Sequence, residues 1–332
     1  MSLTSFRAMV VEETHDNGFI RHITEKKIHD LPKGDVLIKV HYSSLNYKDA
    51  LSATGNKGVT RRYPHTPGID AAGKVEESQD PAFKPGDEVL VTGYDLGMNT
   101  SGGFGQYIRV PAGWVVPLPF NLTMEACMIY GTAGFTAGLS LNKLIEAGVA
   151  PDAGDILVTG ASGGVGSMAV ALLSHCGYSV VAVSGKPQAK QMLTTLGARQ
   201  VIGREAVTDD TDKPLLMQRW AACVDTVGGD ALACVLRSTK SHGMVTCCGN
   251  VASAQLHMTV YPFILRGITL FGIDSATTDM PLRRKIWQNF AGPWKLPNLY
   301  SFSSTIGLDD LDHHIEKILI GGQMGRRVVR LF

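Results

Sequence analysis

The first third of the chain sets short apolar runs between turn-forming residues. Runs at Arg7–Glu12, Val36–Ser43, Ala71–Glu76, Glu88–Thr92 and Gln106–Val110 predict strands. Between them stand Pro32-Lys-Gly-Asp35, Pro67-Gly-Ile-Asp70, Lys84-Pro-Gly-Asp87 and Ser101-Gly-Gly103, whose proline, glycine and aspartate favour tight turns. Short strands punctuated in this way predict a small, irregular barrel. The pattern changes near Pro117–Thr123, and Met124–Ala147 reads as a helix rich in Ala, Leu, Met and Gly. Strands and helices then alternate. Ile156–Thr159 and Ser179–Ser184 predict strands, and Gly166–His175 and Lys186–Leu196 predict helices. Further segments follow at Gln200–Ile202, Leu215–Trp220, Cys223–Thr226, Asp230–Leu236, Met244–Cys248 and Ile268–Ile273. That alternation predicts a parallel, doubly wound sheet with strands buried on both faces. The end of the chain adds a helix and the apolar run Val328-Val-Arg-Leu-Phe332.

A length of 332 residues suggests about two domains, and 44% hydrophobic with 18% charged residues belongs to a globular chain. A net charge of +1 gives no global field to draw in nucleic acid or an anionic membrane. No apolar run reaches the roughly 18 residues of a membrane span. The first residues, MSLTSFRAMVVEET, lack the apolar stretch of a signal peptide. The six cysteines (127, 176, 223, 234, 247 and 248) form no C-x-x-C pair and read as reduced core residues. A cytoplasmic protein is expected.

The most informative segment runs Asp155-Ile-Leu-Val-Thr-Gly-Ala-Ser-Gly-Gly-Val-Gly-Ser-Met-Ala-Val170. An apolar strand enters a glycine-rich turn that opens directly into a helix, the arrangement of a dinucleotide-binding βαβ unit. Ala161, Ser162, Gly163, Gly164, Val165 and Gly166 form the candidate pyrophosphate cradle. Gly163 admits the phosphates, Gly166 lets helix and strand pack closely, and the helix N-terminus supplies amide donors. An NAD site usually carries an acid about 20 residues on, at the end of the second strand. This chain has Ser184-Gly185-Lys186 there, a hydroxyl and an ammonium suited to a 2′-phosphate, with Arg199 and Arg204 nearby. NADPH is the expected cofactor.

With these motifs the chain resembles the medium-chain dehydrogenase/reductase superfamily, and within it the zinc-free acryloyl-CoA reductase and quinone oxidoreductase group. The resemblance rests on Ser43-Ser-Leu-Asn-Tyr-Lys-Asp-Ala-Leu51, Pro67-Gly-Ile-Asp70, Gly131-Thr-Ala-Gly-Phe-Thr-Ala137, the 159–166 turn, Val183-Ser-Gly-Lys186, Asp225-Thr-Val-Gly228 and Pro262-Phe-Ile-Leu-Arg266. It implies a GroES-like β-rich catalytic domain, residues 1–122 completed by 296–332, and a Rossmann domain of doubly wound parallel sheet, residues 123–295. It implies an active site in the cleft where they meet, and a homodimer paired through the strand near Leu270–Ile273. Lysine at 186 departs from the arginine of relatives and gives up bidentate phosphate binding. No metal is expected. The Asn46 region and Thr66-Pro-Gly-Ile-Asp70 stand where zinc-dependent members carry ligands, and His41 and His65 have no Cys or Glu at metal spacing.

The implied chemistry is NADPH-dependent reduction of the carbon–carbon double bond of a short enoyl thioester, acryloyl-CoA to propionyl-CoA, with a quinone or general enone as the alternative substrate. Asn46, Tyr47 and Asp49 are the candidate catalytic residues. Tyr47 offers a hydrogen bond, a proton or a surface for the nicotinamide, Asn46 an amide to orient the carbonyl or the ring amide, and Asp49 a group to fix its neighbours. An alternative for Asn46 and Asp49 is capping of a helix that starts near Lys48. Thr132 and Gly249 are further candidates for cofactor contact, and Lys57, Arg61 and Arg62 for the phosphates of coenzyme A. A non-catalytic NADPH-binding protein and a zinc alcohol dehydrogenase complete the alternatives.

Overall fold

The computed structural model describes residues 5–16 and 18–332, which divide into two compact units. Unit 1 comprises 1–132, 276–292 and 299–332, and unit 2 comprises 133–275 and 293–298. In chain order, unit 1 opens with β1 (Ser5–Glu13), β2 (Phe19–Lys27), β3 (Val36–Ser44), α1 (Tyr47–Ala53), β4 (Asp70–Ser78), β5 (Glu88–Thr92), β6 (Tyr107–Val110) and β7 (Val116–Pro117). The segment α2 (Met124–Glu146) follows and breaks at Gly131, whose φ of 50° and ψ of −159° are not helical. Unit 2 contains β8 (Ile156–Val158), α3 (Gly164–His175), β9 (Val180–Val183), α4 (Lys190–Thr195), β10 (Gln200–Ile202), β11 (Trp220–Asp225), α5 (Gly229–Ser238), β12 (Thr239–Cys247), α6 (Tyr261–Arg266) and β13 (Thr269–Gly272). The chain then returns to unit 1 with α7 (Met280–Ala291), β14 (Ser303–Gly307), α8 (Leu311–Leu319) and β15 (Arg326–Arg330).

Unit 1 is a seven-stranded sheet in the order β14-β15-β3-β4-β5-β7, with β6 on β3, and a separate β1–β2 hairpin. Every ladder of that sheet is antiparallel except β14–β15. Val36, Ile38, Val40, Val89, Val91, Ile108 and Val329 pack one core with Leu311 and Ile315 of α8. Unit 2 is a six-stranded, wholly parallel sheet ordered β10-β9-β8-β11-β12-β13. Relative to chain order this is the 3-2-1-4-5-6 arrangement of a dinucleotide-binding sheet, and its direction reverses between β8 and β11. The glycine turn after β8 lies at that reversal.

The units differ from the expected ranges at three places, one of them residues 296–298, which belong to unit 2. Residues 123–132 belong to unit 1, where Thr132 is bonded to Asp70 of β4 and Ile129 to Arg326 of β15, as described below. Residues 276–292 belong there because Arg283, fully buried, donates to the carbonyls of Thr92, Ala276 and Thr278 and lies over the Tyr94 ring. The run Leu215–Trp220 forms no element of its own, and its last residue opens β11. The β2 strand, α6 and α7 were not anticipated.

Candidate active site

At the end of β3 the chain turns into α1, and Asn46 stands at the helix N-cap. The Asp49 carboxylate reaches back to accept from the Asn46 backbone N–H at 2.8 Å, which is half of a capping box, and such a cap stabilises a helix by ~1 kcal/mol. Its other oxygen accepts from the Ile69 backbone N–H at 2.8 Å. Asp49 is fully buried and therefore ties the start of α1 to the loop before β4. The capping reading of Asp49 thus describes what the structure shows. The Asn46 side chain donates to the same carboxylate at 3.2 Å and has further partners in the cluster described next.

Asp70, at the start of β4 and fully buried, is the hub of a polar cluster. Its carboxylate accepts from Asn46 Nδ2 at 2.8 Å, Ser44 Oγ at 2.6 Å, the Thr132 backbone N–H at 2.9 Å and Thr132 Oγ1 at 2.6 Å. Arg326, 1% exposed at the start of β15, approaches from the other side. Its guanidinium donates to Ile129 O at 2.9 Å, Ser44 Oγ at 2.9 Å and Asn46 Oδ1 at 3.2 Å. The positive group and Asp70 are thus linked through a hydroxyl and an amide. Gly131 is required here. A Cβ on it would stand 2.6 Å from Asp70 Oδ2, 2.7 Å from Ser44 Oγ and 2.8 Å from Arg326 Nη2, and its positive φ already disfavours any L side chain.

Within this cluster Tyr47 is the exception. It is the first residue of α1 and 38% exposed, so the frame holds its backbone while its phenol ring reaches the surface. Thr132, expected at the cofactor, donates its hydroxyl hydrogen to Asp70. Lys57 pairs with Glu13 at 2.7 Å and lies over the Phe19 and Tyr63 rings, whereas Arg61 and Arg62 are exposed. His65 is buried against β1 through a bridge to Val11. Ser44, Asp70, Gly131 and Arg326 were not anticipated as site residues. Asp70 and Gly131 lay inside quoted motifs, but Arg326 lay in a segment noted only for its apolar ending.

In unit 2 the turn after β8 has the form its sequence predicts. Gly163 is the N-cap of α3, and a side chain at Gly166 would collide with the Gly160 carbonyl, so the helix lies directly on the turn. Beneath it, the buried Asp225 at the end of β11 accepts from Thr159 Oγ1 at 2.7 Å and from the Gly228 N–H at 2.8 Å. Thr226 in turn donates its backbone N–H to Thr159 Oγ1 and its hydroxyl to Thr159 O. These bonds lock the ends of β8 and β11, and Gly249 follows β12 at the same edge. After β9, Ser184 Oγ accepts from the Lys186 N–H at 3.2 Å, and the Arg204 side chain lies against Gly185. Burial and then Arg204 lower the Lys186 pKa, placing two cations at one corner. Arg199 does not join them. It pairs with Asp155 at 2.6 Å and bonds Ser179 at the opposite ends of these strands.

Burial, and next the charge of Asp70, push the Asp49 carboxyl up to about 7, against the pull of the Asn46 and Ile69 N–H donors. Its folded value lies above its ordinary 3.8, so its contribution to stability is full below that ordinary value and is lost as pH rises through about 7. Asp49→Asn cannot ionise. In thermal melts taken from about pH 5 to about pH 8, the wild type is expected to lose stability relative to this variant as pH rises. Parallel curves would show that Asp49 keeps one charge state across that range.

Two family profiles match the chain. The profile of the alcohol dehydrogenase GroES-like domain matches residues 32–120, and that of the zinc-binding dehydrogenase matches residues 164–290. The acrylyl-CoA reductase AcuI of Ruegeria pomeroyi is 42% identical over 325 residues, covering 98% of both chains. YhfP of Bacillus subtilis, a quinone oxidoreductase by provisional name, is 43% identical over 329 residues, covering 99% of both. Among solved structures, Escherichia coli YhdH with bound NADPH matches at a TM-score of 0.95 with 42% identity, covering 98% of this chain and 100% of that one. The B. subtilis YhfP structure with bound NAD matches at 0.96 with 43% identity, covering 99% and 100%. With likeness at this level over almost its whole length, the chain belongs to the medium-chain dehydrogenase/reductase superfamily, in the family that holds AcuI and YhfP.

Proposed function

We propose that the protein is an NADPH-dependent reductase that saturates the carbon–carbon double bond of a short enoyl thioester, with acryloyl-CoA converted to propionyl-CoA. The observation that carries this reading is the 42% identity to an acrylyl-CoA reductase over 98% of the chain, with an exposed tyrosine on a rigid polar frame. The name of YhfP supports a second reading, reduction of quinones or simple enones with the same residues.

The residues of unit 2 fit NADPH. The amides at the start of α3 and the open face of Gly163 suit the pyrophosphate, and Ser184, Lys186 and Arg204 suit a 2′-phosphate. NADPH, when bound, supplies hydride from its nicotinamide ring. The task of the chain is to hold the alkene in line and to steady the negative charge that develops on the thioester oxygen. Tyr47 is the donor assigned to that oxygen. Asn46, Ser44, Thr132 and Asp49 are committed to the frame that holds it. That frame does not fit zinc. Asn46 and Asp70, at the expected ligand places, spend their polar atoms on each other and on Ser44, Thr132 and Arg326, with no thiolate or imidazole in the set. The substrate's own carbonyl is therefore the electron sink, and the enolate that results takes a proton at its α-carbon to complete the reduction.

NADPH oxidation with acryloyl-CoA, crotonyl-CoA and a small quinone tests the substrate class. Turnover is expected with acryloyl-CoA and NADPH, and Tyr47→Phe should lower kcat by about 100-fold or more with little change in the KM for NADPH. Clear quinone reduction with no turnover of either thioester would replace the first reading by the second.

The adenosine end is tested separately. Arg204→Ala and Lys186→Ala should each raise the KM for NADPH by roughly 10-fold or more and leave that for NADH nearly unchanged, whereas Arg199→Ala should change neither. Equal effects on both cofactors would remove these residues from the 2′-phosphate.

A homodimer completes the proposal. The β13 strand is a free sheet edge, and Val260, Tyr261, Ile264 and Leu265 expose apolar side chains beside it in sequence, at 62%, 48%, 69% and 62%. Light scattering should give twice the chain mass, and Ile264→Glu combined with Leu265→Glu should shift it towards the monomer. A single-chain mass for the wild type would defeat this part of the proposal.

A further inference from the structure

We infer that Arg326 is the positioning residue of the active site, acting on Tyr47 through the side chain of Asn46. The inference rests on the reading of the Asn46–Tyr47 turn as catalytic and goes beyond it by assigning what aims that turn. Asn46 makes opposite bonds at the two ends of its amide, donating from Nδ2 to Asp70 at 2.8 Å and accepting at Oδ1 from Arg326 Nη1 at 3.2 Å. Only one orientation of the amide satisfies both partners, because a flip would set a donor against the guanidinium and an oxygen against the carboxylate.

Arg326 is itself fixed. Its Nε is on Ile129 O at 2.9 Å and its Nη2 on Ser44 Oγ at 2.9 Å, so the fork spans β3 and the turn before Gly131. These bonds, with Asp70 on the far side, leave Asn46 little freedom. Tyr47 follows Asn46 directly, and its backbone direction is set where Asn46 ends its extended conformation (φ −123°, ψ 161°) and α1 begins. A lysine in the same place could reach one acceptor well but could not span Ile129, Ser44 and Asn46 with a single planar fork.

The test uses the full-length enzyme, with the side-chain amide signals of Asn46 in ¹H–¹⁵N spectra, assigned through Asn46→Asp, read beside steady-state kinetics. In Arg326→Gln the Asn46 amide signals should shift and broaden. The kcat should fall by about 100-fold, as for a small misplacement of a catalytic group, while the KM for NADPH stays within about threefold. Arg326→Lys should recover only part of the rate. In Arg326→Ala, guanidinium ion at about 20–50 mM should restore activity that the same concentration of ammonium does not. Unmoved Asn46 signals in Arg326→Gln would overturn the inference, as would moved signals with kcat unchanged. It would also be overturned by a loss of rate that guanidinium does not reverse and that tracks the loss of folded protein and of NADPH binding. Failure of the functional reading looks different. There the wild type itself would reduce neither thioester nor quinone, and the amide signals alone would still judge the hold of Arg326 on Asn46.

Discussion

A carboxylate removed from water needs other dipoles and charges to replace its hydration, and at Asp70 this chain gathers them from three places. Ser44 and Asn46 come from the end of β3, Thr132 from the break in α2, and Arg326 stands behind both at the start of β15. Breaking a buried ion pair by removing one partner commonly costs about 3–5 kcal/mol, because the other is left charged and dry. The requirement reaches outward from there. It demands a glycine at 131, since no side chain fits among the three polar groups that meet there, and it keeps residues 123–132 with the first unit. It also brings a second acid into play. Asp49, tied to the Asn46 and Ile69 amides, feels the charge of Asp70 and is harder to ionise for it.

The second unit solves a different problem with the same kind of economy. Its turn must present backbone amides to an anion without side chains in the way, so Gly166 lies on the Gly160 carbonyl and α3 starts at once. A flexible loop would waste that geometry. Asp225 prevents the waste by accepting from Thr159 and from Gly228, which holds β8 and β11 in register under the turn. Strand direction decides which cations meet at the corner after β9. Arg204 follows β10 and stands at the carboxyl edge with Lys186, whereas Arg199 precedes the same strand and is spent on Asp155 at the opposite edge.

Much of this was legible beforehand where signals are local. The 3.6 and 2 periodicities located most strands and helices, and the glycine turn with its flanking strand and helix predicted the nucleotide unit. The α7 helix was missed although Arg283, Ile286, Trp287 and Phe290 fall at i, i+3, i+4 and i+7 on its buried face. Its arginine at a core position hid the pattern. The β2 strand carries Arg21, His22, Glu25, Lys26 and Lys27 and is nowhere fully buried, so its alternation is faint. What sequence could not show was the meeting of distant residues. Asn46 and Asp49 looked like cap residues or catalytic groups, and one of them proved to hold the cap while the other faces Asp70 and Arg326. Nothing near Arg326 in the chain announces a partner 280 positions earlier.

That separation has a consequence for how the chain is made. Synthesis runs from the N-terminus, so β3, α1 and β4 emerge with Asp49 and Asp70 long before the guanidinium meant to stand beside them. The whole nucleotide-binding unit is translated in the interval. Until β15 arrives, the nascent first unit holds two acids with no cation to bury against them, a state that favours keeping that region open and wet. The order of the genetic message thereby delays the closing of the polar frame around Asp70 until the parallel sheet already exists.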